Sequence, residues 1–204
     1  ALKHAAFKVR PVNHGTKKTD KNRYCGPAVL SIMSGITTGE ASRLIRHLFP
    51  QVHAVRGTST HQIRIAYENL GIRMSRVSYR VTNNNRPTLA GWLKQTVDER
   101  TAGRVFLISA GHHWQIITGR RYICGIVKEL ISIKDKQVKR RARVKEVFEL
   151  TPIASDGKIR INLDLITKPQ SKKRDACYNR VRKLISDNPD VGLSYDVERT
   201  YGDT

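Results

Sequence analysis

The residues best equipped for chemistry are a cysteine and a histidine, Cys25 and His113, set far apart in a chain of 204 residues. Cys25 opens the run Tyr24-Cys25-Gly26-Pro27-Ala28-Val29-Leu30-Ser31-Ile32-Met33-Ser34-Gly35. Gly26 admits close backbone approach, Pro27 suits an early helical position because it has no N–H to lose, and Gly35 is a natural stop. The run predicts a buried helix with a thiol in its first turn. There, the positive end of the helix dipole and the unpaired backbone N–H groups favour a thiolate and can steady an oxyanion beside it. The plainer role of the same residue is packing, because free cysteines are among the most buried residues.

His113 belongs to Arg104-Val105-Phe106-Leu107-Ile108-Ser109-Ala110-Gly111-His112-His113-Trp114-Gln115-Ile116-Ile117-Thr118-Gly119, two β-rich runs around a tight corner. Alternation puts His113, Gln115 and Ile117 on one strand face and Trp114, Ile116 and Thr118 on the other. One face can then look into a cleft while Trp114 packs below it. An imidazole on a strand, facing a thiol at a helix start, holds the thiolate as an ion pair and later protonates the leaving group. His112 competes for this role, but alternation points it away.

Tyr24-Cys25-Gly26-Pro27-Ala28 followed by His113-Trp114-Gln115-Ile116-Ile117-Thr118-Gly119 resembles the papain-like cysteine peptidases of the double-glycine leader-peptidase type. The likeness is closest to the small peptidase-like proteins of tailed bacteriophages. Val55-Arg56-Gly57-Thr58-Ser59 and Pro87-Thr88-Leu89-Ala90-Gly91-Trp92-Leu93 resemble further landmarks of that group, so the likeness runs from Asn13 to Leu150. It implies an α+β, papain-like fold: an N-terminal helical half with a central nucleophile helix, packed on an antiparallel β half. It also implies Cys25 as nucleophile, His113 rather than His112 as base, a peptide or protein substrate, phage structural proteins as partners, and a place in the virion or the host cytoplasm. No cofactor is implied.

The chain departs from the family pattern at two places. The usual glutamine ahead of the nucleophile is replaced by Thr19, leaving Asn22 as the nearest amide for the oxyanion and Asn13 as a more distant one. On the strand after the histidine, where relatives carry Asp or Asn, the sequence reads Tyr122-Ile123-Cys124-Gly125. Gln115, Asp135 or a backbone carbonyl are the substitutes within reach, and Cys124 reads as a buried strand residue. These gaps support a rival expectation: a non-catalytic virion component that uses the fold to bind capsid, portal or tail proteins, or packaged DNA.

Charge is the second strong signal. With 38 Lys and Arg against 17 Asp and Glu, the formal net charge is +21, which points to a polyanionic partner. Aromatic residues make up only 6% and do not interleave with the basic clusters, so nucleic-acid contact would be phosphate-driven and blind to sequence. The densest run holds Lys136, Lys139, Arg140, Arg141, Arg143 and Lys145, and a second holds Lys172, Lys173 and Arg174. The first also reads as a charged edge strand protected from aggregation. The three cysteines, Cys25, Cys124 and Cys177, lack a disulfide or metal-site spacing, as do His47, His53 and His61. No apolar run is long enough to span a membrane.

The elements that must position Cys25 and His113 follow from the same patterns. Residues 1–22 are basic and irregular, with Phe7, Val9 and Val12 suited to a short edge strand. Helices are expected from Thr37 to Leu48, from Thr58 to Gly71, and from Thr88 through Val97. Strands are expected over 72–79, 104–110, 113–118 and 122–133, the last interrupted near Gly125, with a β-rich stretch continuing to Leu150. Asp156-Gly157 suggests a hairpin turn joining 151–153 to 159–165, and Pro169 and Ser171 mark a linker. The division is a peptidase-like domain over 1–150 and a basic extension over 151–204, the latter with an amphipathic helix at 172–185 and a short strand near Tyr195 and Val197.

Overall fold

A computed structural model describes residues 2–18, 21–52, 54–79, 85–101 and 103–167. Thr19, His53, Asn83, Asn84 and all of 168–204, with Lys172, Lys173, Arg174, Cys177 and the elements expected there, lie outside the described residues. β1 (Leu2–Ala6) precedes three helices, α1 (Cys25–Ser34), α2 (Thr38–Leu48) and α3 (Thr60–Asn69). The last two start with complete capping boxes, Thr37 with Glu40 and Ser59 with Gln62. α1 starts without a side-chain cap and with no acidic residue in its first turn. It is buried from Gly26 to Ser34, which explains a sequence that is apolar on every side.

After the helices come β2 (Ile72–Arg76), α4 (Leu89–Gln95), α5 (Val97–Thr101), β3 (Val105–Ala110), β4 (His113–Thr118), β5 (Arg121–Cys124), β6 (Ile131–Ser132), β7 (Val144–Pro152), β8 (Lys158–Asn162) and α6 (Leu163–Thr167). The main sheet has the order β2-β7-β3-β4-β5-β6, and each of its pairings is antiparallel. β1 and β8 form a separate antiparallel pair. The class is α+β.

The sheet separates two cores, and strand alternation assigns the side chains. Val105, Leu107, Trp114, Ile116, Ile123, Phe148 and Leu150 join the helices in one core. Phe106, Ile108, Ile117, Tyr122, Cys124, Val144 and Val147 face the other, under Leu89, Trp92 and Leu93 of α4. Covered on both faces, β3 is buried at every position. A register shift in the β3–β7 pairing, between Ser109 and Ala110, returns Val144 to the face that Val147 occupies.

Several expected elements are corrected by tertiary context. The early strand is Leu2–Ala6, and Phe7, Val9 and Val12 pack instead against the helix-side core. The helix from Thr88 breaks at Thr96, whose hydroxyl bonds back to the Trp92 carbonyl at 2.9 Å, while the buried Arg100 guanidinium takes the carbonyls of Leu93 and Gly119. Val97 is thereby exposed. The basic stretch before Val144 is a series of turns anchored by the buried Val138, not an edge strand. β7 has both edges filled by β2 and β3, so no hairpin forms at Asp156-Gly157 and β8 pairs with β1 instead. β8 and α6 then place Ile159, Ile161 and Ile166 in the same core as α1. Among the described residues no helix is long and apolar enough to cross a membrane.

Candidate active site

Cys25 is the first residue of α1, half-buried, and the start of that helix is clamped from two sides. A Cβ on Gly26 would lie 2.1 Å from Thr58 Oγ1 and 2.5 Å from Thr58 Cγ2, so only glycine lets the 55–59 segment close on the helix. Thr58 in turn accepts a hydrogen bond at its carbonyl from Trp114 Nε1 at 3.2 Å. The helix start is thus tied to the strand that carries His113. Against it lies Gly125, just past β5, where a Cβ would sit 2.8 Å from Ala28 Cβ and 3.8 Å from Cys25 Cα.

Gly125→Ala is expected to force β5 and α1 apart, lowering stability by about 1–3 kcal/mol and slowing Cys25 alkylation. Ala28→Gly in the same chain should restore the labelling rate, though not all of the stability, because glycine weakens a helix interior. Thermal melts and labelling rates of the single and double variants check this.

His113 begins β4 and is the neighbour in sequence of the buried Trp114. Burial pushes the Cys25 thiol up, but contact with His113, the Trp114 N–H, the charge of His113 and the N–H of Cys25 itself bring it below its ordinary value. Burial pushes His113 down, and contact with the sulfurs of Cys124 and Cys25 more than reverses this, raising the imidazole to about 9. Its Nε2 is buried and has no hydrogen-bond partner among the described residues. The arrangement favours the charged form of both groups, a thiolate beside an imidazolium.

The second sulfur is the residue that sequence reasoning passed over. Gln115 and Cys124 are directly paired across β4 and β5, so His113, two residues before Gln115, is a diagonal neighbour of Cys124 on the same sheet face. Burial raises the Cys124 thiol, while His113, the Tyr122 hydroxyl and the backbone N–H groups of Val127 and Ile126 bring it down to about 7. Burial and the same sulfur push the Tyr122 hydroxyl well up, keeping it protonated as a donor. The signal that could have found Cys124 was its offset from the histidine across a tight strand connection, at Gly119-Arg120.

Asn22 sits in the turn entering α1. Its Oδ1 accepts from the Tyr24 N–H at 2.9 Å and its Nδ2 donates to the Val55 carbonyl at 3.2 Å. Gln115 is buried beside Cys124, whereas Asp135 is engaged by its own turn, accepting the Gln137 N–H at 2.8 Å. Asn13 is tied to the end of α1 through Nδ2 and the Gly35 carbonyl. His112 is exposed in the turn, with a left-handed backbone at φ 58°. Lys136, Lys139, Arg140, Arg141 and Arg143 are exposed, and Lys145 is half-buried in β7. Among the described residues, no group of three or more His, Cys, Asp and Glu is gathered as a metal would require.

Comparison of the chain with protein-family models, with curated proteins and with solved structures finds no match.

Proposed function

We propose that this chain is a papain-like cysteine peptidase of the double-glycine leader-peptidase type, akin to the peptidase-like proteins of tailed bacteriophages. The observation that carries the reading is the contact between a half-buried thiol at an uncapped helix start and an imidazole held on the facing strand, each shifted toward its charged form. In this mechanism the Cys25 thiolate attacks a peptide carbonyl carbon. The oxyanion is held by the Cys25 backbone N–H and the second N–H of the Asn22 amide. His113 gives its proton to the leaving amine, which departs and leaves a thioester. Water then attacks the thioester, His113 takes back the proton, and the acid product is released with the thiolate restored. Cys124 acts as a positioning residue, holding His113 where a carboxylate or amide stands in relatives.

Cleavage of an unstructured protein substrate, read by mass spectrometry of the products, is the direct test. Cys25→Ala should abolish cleavage and His113→Ala should reduce it by at least about a hundredfold. Cleavage unchanged in both variants overturns the reading. One observation favours a second reading, a non-catalytic virion component that binds an acidic partner: Lys134, Arg120 and Arg140 rim a cavity of about 750 Å³ lined by Leu93, Val97 and Ile133. That reading stands if Cys25 proves unreactive and no substrate is cut.

A further inference from the structure

A second, basic cavity of about 340 Å³ opens beside Tyr24, the residue before Cys25. Its walls include Asn22 and Tyr24 on the approach to α1, Arg43 and Arg46 from α2, and Lys21 and Arg56 from loops. Among the described residues, no acidic side chain lines it. Glu40, the acid of the adjoining helix turn, is committed to its own capping box, accepting the Thr37 N–H at 2.7 Å. Arg43 and Arg46 stand three residues apart on α2 and so share a face, where like charges repel unless an anion lies between them. Arg43 is braced by a hydrogen bond from its Nε to the Ile166 carbonyl at 2.5 Å. Arg46 is half-buried, and its Nε is buried with no hydrogen-bond partner among the described residues. An unsatisfied, buried, charged donor is rare in a folded chain because it is costly, which makes it a marker for a missing ligand.

We propose that this cavity is an anion subsite that takes the carboxylate of an Asp or Glu side chain in a peptide lying across Cys25. The peptide's placement across Cys25 rests on the peptidase reading; the binding of an acidic peptide does not. Adjacent Cα atoms are about 3.8 Å apart, so a cavity walled by Tyr24 lies within reach of a side chain one or two residues from the bond that Cys25 attacks. Guanidinium groups match a carboxylate with two parallel N–H donors, and Arg43, Arg46 and Arg56 bring three of them to the wall of this cavity. The net charge of +21 draws acidic peptides to the surface, and the cavity selects where the carboxylate comes to rest. The substrate class is therefore an acidic peptide segment rather than a plain di-glycine stretch.

The test is fluorescence anisotropy on the Cys25→Ser protein with two labelled tetrapeptides, Gly-Glu-Glu-Gly and Gly-Gln-Gln-Gly, in about 0.15 M salt. The Glu peptide is expected to bind at least about tenfold more tightly. Arg46→Gln should remove that preference. Arg56 is exposed, so Arg56→Gln reads the same subsite without disturbing α2 and should weaken the Glu peptide severalfold. Lys139→Gln with Arg141→Gln removes charge from the exposed basic turns and should leave the preference intact. Equal binding of the two peptides overturns the proposal, as does a loss in the Lys139 and Arg141 control as large as in the cavity variants, which would mean bulk charge alone. Because Cys25→Ser protein is used, the outcome is independent of thiol reactivity. Acid selectivity in a chain whose Cys25 is inert retires the peptidase reading and keeps the subsite, and a reactive Cys25 without acid selectivity does the reverse.

Discussion

Iodoacetamide should alkylate Cys25 rapidly at a pH where an ordinary thiol, with a value near 9.0, is almost wholly protonated and slow. The sign follows from the cradle around the sulfur. His113, its charge and two backbone N–H groups favour the thiolate and outweigh burial, so the ionised form appears at lower pH. His113 stays protonated until about 9, so thiolate and imidazolium coexist from the lowered Cys25 value up to that limit. Peptidase activity should accordingly be bell-shaped, rising as Cys25 ionises and falling as His113 loses its proton near 9. His113→Ala removes both the contact and the charge. At about pH 6 it should slow alkylation by at least tenfold, with the rate recovered only as pH approaches the ordinary thiol range. Intact-mass kinetics in a Cys177→Ser background, with digestion to tell Cys25 from the buried Cys124, isolate Cys25 without disturbing His113. Identical pH profiles with and without His113→Ala would show that the two groups do not form a pair.

Cys124→Ala should move the alkaline limb of the same activity profile. Cys124 is one of two sulfurs that raise His113 to about 9, so its loss lowers the imidazole and shifts the falling limb to lower pH. kcat/KM at neutral pH should drop by about tenfold, mostly in kcat, because the imidazole is less well oriented rather than absent. Cys124→Ser, which keeps a weaker polar contact, should fall between the two. A residue that only fills space would reduce stability and leave the limb where it was.

The same sulfur makes stability depend on pH in two directions. Cys124 is lowered to about 7, so its contribution is present above the ordinary thiol value and lost as pH falls through 7. His113 is raised, so its contribution is present below its ordinary value of 6.5 and lost as pH rises through about 9. Both are ionised together mainly between those limits, and Cys124→Ala should flatten the thermal stability profile across that window.

Local chemistry made the helices legible in the sequence, including the start of α1 at Cys25. Thr37 with Glu40 and Ser59 announce their helix starts because a cap is a short-range hydrogen bond, and Gly35 stops α1 in a left-handed conformation at φ 77°. Strand alternation around His113 put Trp114 on the opposite face, where it packs in the helix-side core, but the His113 face expected to look into a cleft is buried at Gln115 and Ile117, Ile117 lying in the second core. What stayed hidden depends on pairing between distant segments. β8 carries a good hairpin turn in front of it, yet goes to β1 because β7 is already filled on both edges. Arg46 looks like any solvated helix arginine until the 54–56 loop folds over α2. Cys124 looks like an ordinary apolar strand residue until β5 returns beside β4 and sets it diagonal to His113.

The β1–β8 pair has a consequence for how the molecule is made. Leu2 to Ala6 find their partners at Lys158 to Asn162, and β2 likewise waits for β7, so the core around α1 closes through contacts of very high sequence separation. Such topologies fold slowly, because loop-closure entropy is lost before the contacts return it. On a ribosome adding about 5–20 residues per second, the segment holding Cys25 is out in solution well before its sealing strands exist. Throughout that interval the thiol has no imidazole beside it and no cleft around it. On the peptidase reading, Cys25 therefore gains its imidazole only when the fold is complete, and a nascent chain is kept from that chemistry by the order in which it is synthesised.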